Sequence, residues 1–312
     1  MANESRLAQA SANPLLLQYA QGAAQDATQP VADFLAPTVP VGFQIGRFKK
    51  FTEKNRFHIP KTLRGMGGRA TELSFSTEDK TFNCKPHALD FPVDNLEELE
   101  AENSGLESVL EEGATLVAEV AGLAHEKTVI DTALESVGAG TDVNFNTGDP
   151  VALIDAEILN VIKQARYGSL MGVGVLFGAT AFSRFKNSPL CRARFVTAGG
   201  NAIPNITAES ASSLLLGSPE TRVSYMVFDA AEEGLADSMQ FVLDASVLIF
   251  ARKATPSRRD PSFMKTFRLA SKYMVPGSYT REDGRAEVAK FDWSEDVQIT
   301  NTTAVSRINP TA

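Results

Sequence analysis

Apolar and polar residues alternate between Gly42 and Ser76, with Phe43, Ile45, Phe48, Phe51, Phe57 and Ile59 on the outward run and Leu73 and Phe75 on the return. A period of two predicts strands, and Arg64-Gly65-Met66-Gly67-Gly68-Arg69 supplies a turn, so the stretch reads as a long two-stranded arm. Pro37 and Pro40 keep the approach to it extended, and the arm is expected to end near Pro86 to Pro92. A lone hairpin is marginal in water, so an arm of this length must rest on another surface. From Asn95 the period becomes helical. Leu96, Leu99, Leu106, Val109, Leu110, Leu116, Val117, Val120 and Leu123 form an apolar stripe, with Asp94 as N-cap and acids in the first turns, where the helix dipole favours them. A bend is expected near Ser104-Gly105.

The polar stretch Gly138 to Gly148 reads as a boundary or exposed loop. Beyond it Asp149 caps a helix opened by Pro150, buried through Val151, Ile154, Ile158, Val161, Ile162 and Ala165, and stopped at Gly168. Val173 to Phe177 is a buried strand. Thr180 is expected to cap a short helix through Lys186, and Thr207 another through Leu216. Val223 to Phe228 and Phe241 to Phe250 read as two further strands. Asp283-Gly284 predicts a type I′ hairpin turn between strands near Tyr273 to Arg281 and Arg285 to Trp293, and Val297 to Ile299 reads as the last strand. The first stretch, to about Ala36, has little core of its own and a short helix around Leu15 to Tyr19. The class is α+β, with no internal repeat.

Charge adds what periodicity cannot. Arg47, Lys49, Lys50, Lys54, Arg56, Lys61, Arg64 and Arg69 fall in the arm against one acid, Glu53. Asp94, Glu97, Glu98, Glu100, Glu102, Glu107, Glu111 and Glu112 then follow in the helical stretch, and no Lys or Arg lies between Lys85 and Lys127. An acidic helix is often only a solvated face, and a basic loop is often a phosphate patch. Neighbouring blocks of opposite sign instead mark an interaction surface, here one that joins copies of the same chain. With 312 residues, 43% of them hydrophobic, the chain can bury a core in one or two domains, and no apolar run approaches the ~20 residues of a membrane span. There is no secretory signal, and Cys84 and Cys191 are too few for a disulfide framework, so a reducing cytoplasm is expected. A net charge of −8 argues against nonspecific nucleic-acid binding by the whole surface.

Chemical motifs are sparse. Gly172, Gly174 and Gly178 enter and leave a strand, and no Lys-Ser or Lys-Thr follows, so they do not form a nucleotide loop. His58, His87 and His125 lie far apart without metal-ligand spacing. No nucleophile elbow occurs, Cys191 has no catalytic context, and Arg258-Arg259 is a short basic run best read as a loop contact. Neither a catalytic residue nor a cofactor or metal site is expected.

The order of parts resembles the major capsid protein of tailed bacteriophages, the Hong Kong 97 fold. Phe34-Leu35-Ala36-Pro37-Thr38-Val39-Pro40-Val41-Gly42, Gly46-Arg47-Phe48-Lys49-Lys50-Phe51 and Phe57-His58-Ile59-Pro60 resemble the approach to that family's extended loop. Val173-Gly174-Val175-Leu176-Phe177-Gly178, followed by Ala181-Phe182-Ser183-Arg184-Phe185-Lys186-Asn187, resembles its axial strand and helix, and Arg281-Glu282-Asp283-Gly284-Arg285 its peripheral hairpin. The resemblance implies an N-arm over 1–38, an extended β-hairpin loop over 39–90 and a peripheral-domain spine helix over 91–136. It further implies a mixed α/β axial domain over 137–270, a peripheral hairpin over 271–295 and a return to the axial domain over 296–312. It implies pentamers and hexamers that close an icosahedral shell around double-stranded DNA, bound without sequence specificity. The partners would be further copies, a separate scaffolding protein, a portal and a decoration protein, with no membrane, in a virion assembled in the host cytoplasm. A nanocompartment shell holding a protein cargo, or a cytosolic α/β enzyme whose arm closes on an anionic substrate, are the alternatives. Some members join subunits through a loop Lys and a peripheral Asn. Lys49, Lys50, Lys54 or Lys61 and Asn301 or Asn309 have the right chemistry, but spacing singles out no pair.

Overall fold

The computed structural model describes residues 31–50, 62–63, 66, 69, 72, 78–104, 108–164, 172–197, 206–232, 234–253, 255–257, 260–270 and 275–311. Two five-stranded sheets organise them. The first has the order β1 (Thr38–Val41), β11 (Met264–Leu269), β13 (Ala286–Ile299), β12 (Val275–Thr280), with β4 (Lys85–Asp94) also paired to β13. The second has the order β5 (Thr141–Asn144), β14 (Val305–Thr311), β10 (Val247–Ala251), β6 (Val173–Gly178), β7 (Glu220–Ser224). Two-stranded ribbons are formed by β2 (Ile45–Lys50) with β3 (Glu78–Asn83), and by β8 (Val227–Asp229) with β9 (Met239–Phe241).

The second sheet carries the larger core. Every residue of β6 and β10 is buried, as expected of central strands covered on both faces. The amphipathic helix Pro150–Gln164 adds Val151, Ile154, Ile158 and Val161, and Asp149 Oδ1 accepts from the Val151 backbone as a cap. Gly178, at the end of β6, has no room for a side chain, since a Cβ would run into the Asp244 carbonyl.

The helix Val109–Val137, about 43 Å long, ties the sheets together. Its first half lays Leu110, Ala114, Val117, Ala118 and Ala121 on Phe291, Trp293, Val93 and Ala289 of the first sheet. Its last turns carry Val129, Ile130 and Ala133 into the core of the second. Ser108 caps its start by accepting from the Glu111 N–H. The bend expected near Ser104 falls between this helix and a separate one, Asn95–Ser104. The predicted stripe is only half right: Leu110 and Val117 are buried, but Leu96 (71%), Leu99 (51%), Leu116 and Val120 are exposed. Alanines and a glycine, not leucines, take the close-packed face.

Other expectations change in detail. The helix Ala179–Asn187 starts after Gly178 with no side-chain cap, so Thr180 is not its N-cap, whereas Thr207 and Ser210 form a reciprocal capping box on Ala208–Leu214. Each strand expected at Val223–Phe228 and Phe241–Phe250 is two strands, because the chain leaves the second sheet to form the β8–β9 ribbon. In the β12–β13 hairpin the Gly284 N–H donates to the Arg281 carbonyl and only Gly284 of the central residues has positive φ, +69°. That is a type I turn closed by a left-handed glycine, not the type I′ turn, which needs positive φ at two positions. The expected strand Val297–Ile299 is the tail of β13, and β14 comes last. The stretch expected to stay axial through Ala270 gives β11 to the other sheet, because Met264–Arg268 pairs with Glu295–Ile299. Residues 91–94, assigned to the helix, end strand β4 instead. Val31–Ala36 is not coreless, since Phe34 packs edge-on against Phe250 at 5.2 Å. The predicted helix at Leu15–Tyr19, the arm's turn apart from Met66 and Arg69, and Gly168 lie outside the described residues.

Candidate interaction surface

The arm starts from a firm base. In β2 and β3, Phe48 and Phe82 turn inward onto Phe267 of β11, with ring centroids 5.2 and 4.5 Å apart, the second pair stacked. Val39, Val41 and Cys84 complete this small core. The Asn83 backbone donates to Asp296 Oδ2 at 2.8 Å and Ser294 Oγ to the Cys84 carbonyl at 3.1 Å, fixing the return strand to β13. Phe48 is therefore spent inside the subunit. Other apolar side chains lack cover, at the base Phe43 (72% exposed) and toward the end Leu63 (97%) and the fully exposed Met66.

Of the basic residues, Arg47 and Arg69 are exposed, and Lys49 and Lys50 lie in β2 opposite Asp79 and Glu78. Sequence reading missed this pairing, although Glu78 and Asp79 stand on the return strand where a hairpin register would bring them to β2. Lys54, Arg56, Lys61 and Arg64 lie outside the described residues.

Among the acids, Glu97, Glu100 and Glu102 are exposed on the helix Asn95–Ser104. Glu98 has an internal role: its Oε1 accepts from Ser108 Oγ at 2.6 Å and its Oε2 from the Leu110 N–H at 3.2 Å, so it holds the two helices together. Glu107 lies outside the described residues. A hollow of about 230 Å³ opens where this helix meets β4 and the long helix, with Val93, Leu99 and Leu110 apolar and Glu98, Glu102 and Glu287 acidic. Apolar walls under an acidic rim suit a long basic side chain, which buries its stem and keeps its charge among carboxylates. Among the described residues, no ion pair joins Arg47 or Arg69 to Glu97, Glu98, Glu100 or Glu102 of the same subunit.

A buried polar junction lies where the long helix, β11, β13 and the short helix Val31–Leu35 meet. Glu295 pairs with His125 Nδ1 at 2.9 Å and with Arg268 Nε at 3.1 Å. Burial alone would push the Glu295 carboxyl up, but the hydrogen bond and charge of His125 and then Arg268 outweigh it and hold it at about 2. Glu126, next along the helix, accepts from the Ala32 N–H at 3.1 Å, and burial pushes its carboxyl up to about 7. Lys265 forms a second buried pair with Asp260 at 3.1 Å. These groups hold elements together. Asn301 is buried with its amide bonded to the Pro261 carbonyl and Thr303, and the Asn309 amide is bonded to Ala139, Asp142, Ser246 and Arg307. Both amides are thus engaged within the subunit. Among the described residues there is no group of three or more His, Cys, Asp or Glu placed to hold a metal ion, and no helix is long and apolar enough to cross a membrane.

No family model matches the chain. Over 63 residues it is 38% identical to the major capsid protein of Pseudomonas phage JBD67, a match that spans 20% of this chain and 20% of that protein. Likeness of fold extends much further. A phage-related protein from Bordetella bronchiseptica RB50 superposes with a TM-score of 0.69 at 18% identity, over 96% of this chain and 97% of that one. The mature capsid of bacteriophage PhiM1 gives 0.56 at 12%, over 90% and 86%, and the SrpI encapsulin of Synechococcus elongatus PCC 7942 gives 0.55 at 12%, over 91% and 88%. The chain has the Hong Kong 97 fold.

Proposed function

We propose that this chain is the major capsid protein of a tailed bacteriophage, a structural protein and not an enzyme. The observation that carries the reading is an arm with a built base and an uncovered end, on a chain whose fold follows that of a phage capsid over 90% of its length. Copies assemble into pentamers and hexamers that close an icosahedral shell around double-stranded DNA, held without sequence specificity. The first sheet with its long helix is the peripheral domain, the second sheet the axial domain, and the basic arm the extended loop. Residues before Thr38 form the N-arm. The arm of one copy lies over the acidic helix of the next, Arg69 and the basic residues near the turn meeting Glu97, Glu100 and Glu102. A scaffolding protein, a portal and a decoration protein complete a virion assembled in the host cytoplasm.

A shell of the same fold around a protein cargo is the second reading, favoured by the likeness to the encapsulin, which is as good as that to the phage capsid. The short match to a phage capsid sequence weighs toward the first. Electron microscopy of the purified chain, with scaffold supplied, tests both. Uniform closed particles holding DNA after packaging support the capsid, and particles that co-purify with a protein cargo support the compartment. Monomers or dimers alone overturn both, since a closed surface needs more than one kind of subunit contact.

A further inference from the structure

The short helix Val31–Leu35 straddles the two sheets. Val31, Ala32, Phe34 and Leu35 are buried in the core of the second sheet, where the Phe34 ring lies edge-on to Phe250 and so close to Gly174 that a Cβ there would meet it at 2.8 Å. Just beyond the helix the Ala36 and Pro37 carbonyls accept from the hydroxyl and the N–H of Thr266 in the first sheet, both at 3.2 Å. The long helix holds the first turn through Glu126, whose Oε2 accepts from the Ala32 N–H at 3.1 Å. A carboxylate is favourable at a helix start when water can reach it. This one is fully buried, and its Oε1 has no hydrogen-bond partner among the described residues.

The charged groups around Glu126 repel it or are committed to other partners. Asp33, on the short helix, adds a like charge and accepts from Thr38 Oγ1 at 2.6 Å. Arg268 of β11 pairs with Glu295 of β13 at 3.1 Å and lies 3.9 Å from Asp33, and Glu295 also pairs with His125. On the long helix Lys127 pairs with Asp131 at 2.8 Å, and beside the second sheet Arg222 and Arg252 pair with Glu220 and stack over the Phe34 ring. Burial pushes the Glu126 carboxyl up to about 7; the Ala32 N–H opposes the rise and the Asp33 charge adds to it. We propose that Glu126 and the short helix form a proton-gated clasp between the two sheets, docked while the carboxyl is protonated and released in a growing fraction of subunits once it ionises. An undocked carboxyl reaches water and ionises in its ordinary range near 4.5, so release gives up a proton and is favoured as pH rises toward 7 and beyond. Release uncovers Phe34 and Phe250 and loosens the tie between the sheets. The proposal concerns the single subunit and does not rest on the shell reading.

The test is amide hydrogen exchange on the full chain at about pH 6 and about pH 8, corrected for the pH dependence of a free amide. The Ala32 N–H, bonded to Glu126, and the Ala36 N–H, bonded to the Ala32 carbonyl, should open ~10-fold more often at the higher pH. At both pH values they should also exchange faster than the amides of Val247–Ala251, which are buried at the centre of the second sheet and open only with the whole core. The Arg281 N–H, bonded to the Ala286 carbonyl in the hairpin at the far end of the first sheet, should show no rise. Glu126→Gln keeps an acceptor for Ala32 but cannot ionise, and it should abolish the rise. No rise in the native protein, a rise of the same size in the glutamine variant or at Arg281, or equal exchange in the clasp and in Val247–Ala251 would each overturn the proposal. The comparisons within the native protein decide it even where the variant does not fold.

Discussion

The β6–β10 pair and the arm use similar residues to opposite ends. In the sheet, Val175, Leu176, Phe177, Leu248, Ile249 and Phe250 are all buried, and what buries them belongs to the same chain. In the arm, Phe48 and Phe82 find Phe267, but Leu63 and Met66 have no cover on the described subunit. Apolar periodicity reports that a face will be covered, not which copy of the chain will cover it. The sheet is covered within the monomer, and on the proposed reading the arm is covered only by a neighbouring copy.

Stability should separate the halves most sharply. Phe250→Ala removes a fully buried ring that touches Phe34 and should lower unfolding free energy by about 3–5 kcal/mol in denaturant titration. The paired change Leu63→Ala with Met66→Ala should shift it by no more than about 0.5 kcal/mol, while weakening assembled particles. Equal losses in the two variants would mean that the arm's end packs on its own subunit after all.

Next in size is the polar junction between the halves. The Glu126 carboxyl is raised from 4.5 to about 7, so its burial carries no penalty below pH 4.5 and a growing one as pH rises through 7. Glu295 is held at about 2, so its contribution is complete above pH 4.5 and is lost as pH falls toward 2. From these two groups the subunit should be most stable near pH 4.5. Glu126→Gln should flatten the decline between pH 4.5 and 7, a change on the order of 2–3 kcal/mol across that window. Melting curves for the two proteins that run parallel over those pH values would show that Glu126 is not the group responsible.

Legibility in the sequence followed the same division. Continuous apolar runs such as Val173–Phe177 announced the central strands, and Asp149-Pro150 and Thr207 announced their helices, because those signals are local. The stripe on the long helix misled, since Leu116 and Val120 resemble core residues by spacing while Ala114, Ala118 and Ala121, which let β13 approach closely, do not stand out. The strand exchange of β11 was harder still, as pairing between segments far apart in the chain leaves no mark on either. At the proposed site, the two blocks of charge were plain to read. The internal commitment of Glu98 depends on a partner that only the folded chain brings near.

The smallest effect per residue concerns the contact itself. Exposed ion pairs contribute ~0–1 kcal/mol each, so a single reversal should be almost silent, yet the increment recurs at every subunit contact. The residues to change are the basic Lys54, Lys61 and Arg69 of the arm, and the exposed Glu97, Glu100 and Glu102 of the helix. The most direct measurement is assembly followed by light scattering at low salt, where screening is weakest. The triple change of Lys54, Lys61 and Arg69 to Glu should leave the melting curve of the subunit unchanged and slow or abolish particle formation. Adding Glu97→Lys, Glu100→Lys and Glu102→Lys should restore part of it. Normal assembly of the first variant, or no recovery in the second, would contradict an arm that seats on the acidic helix of its neighbour.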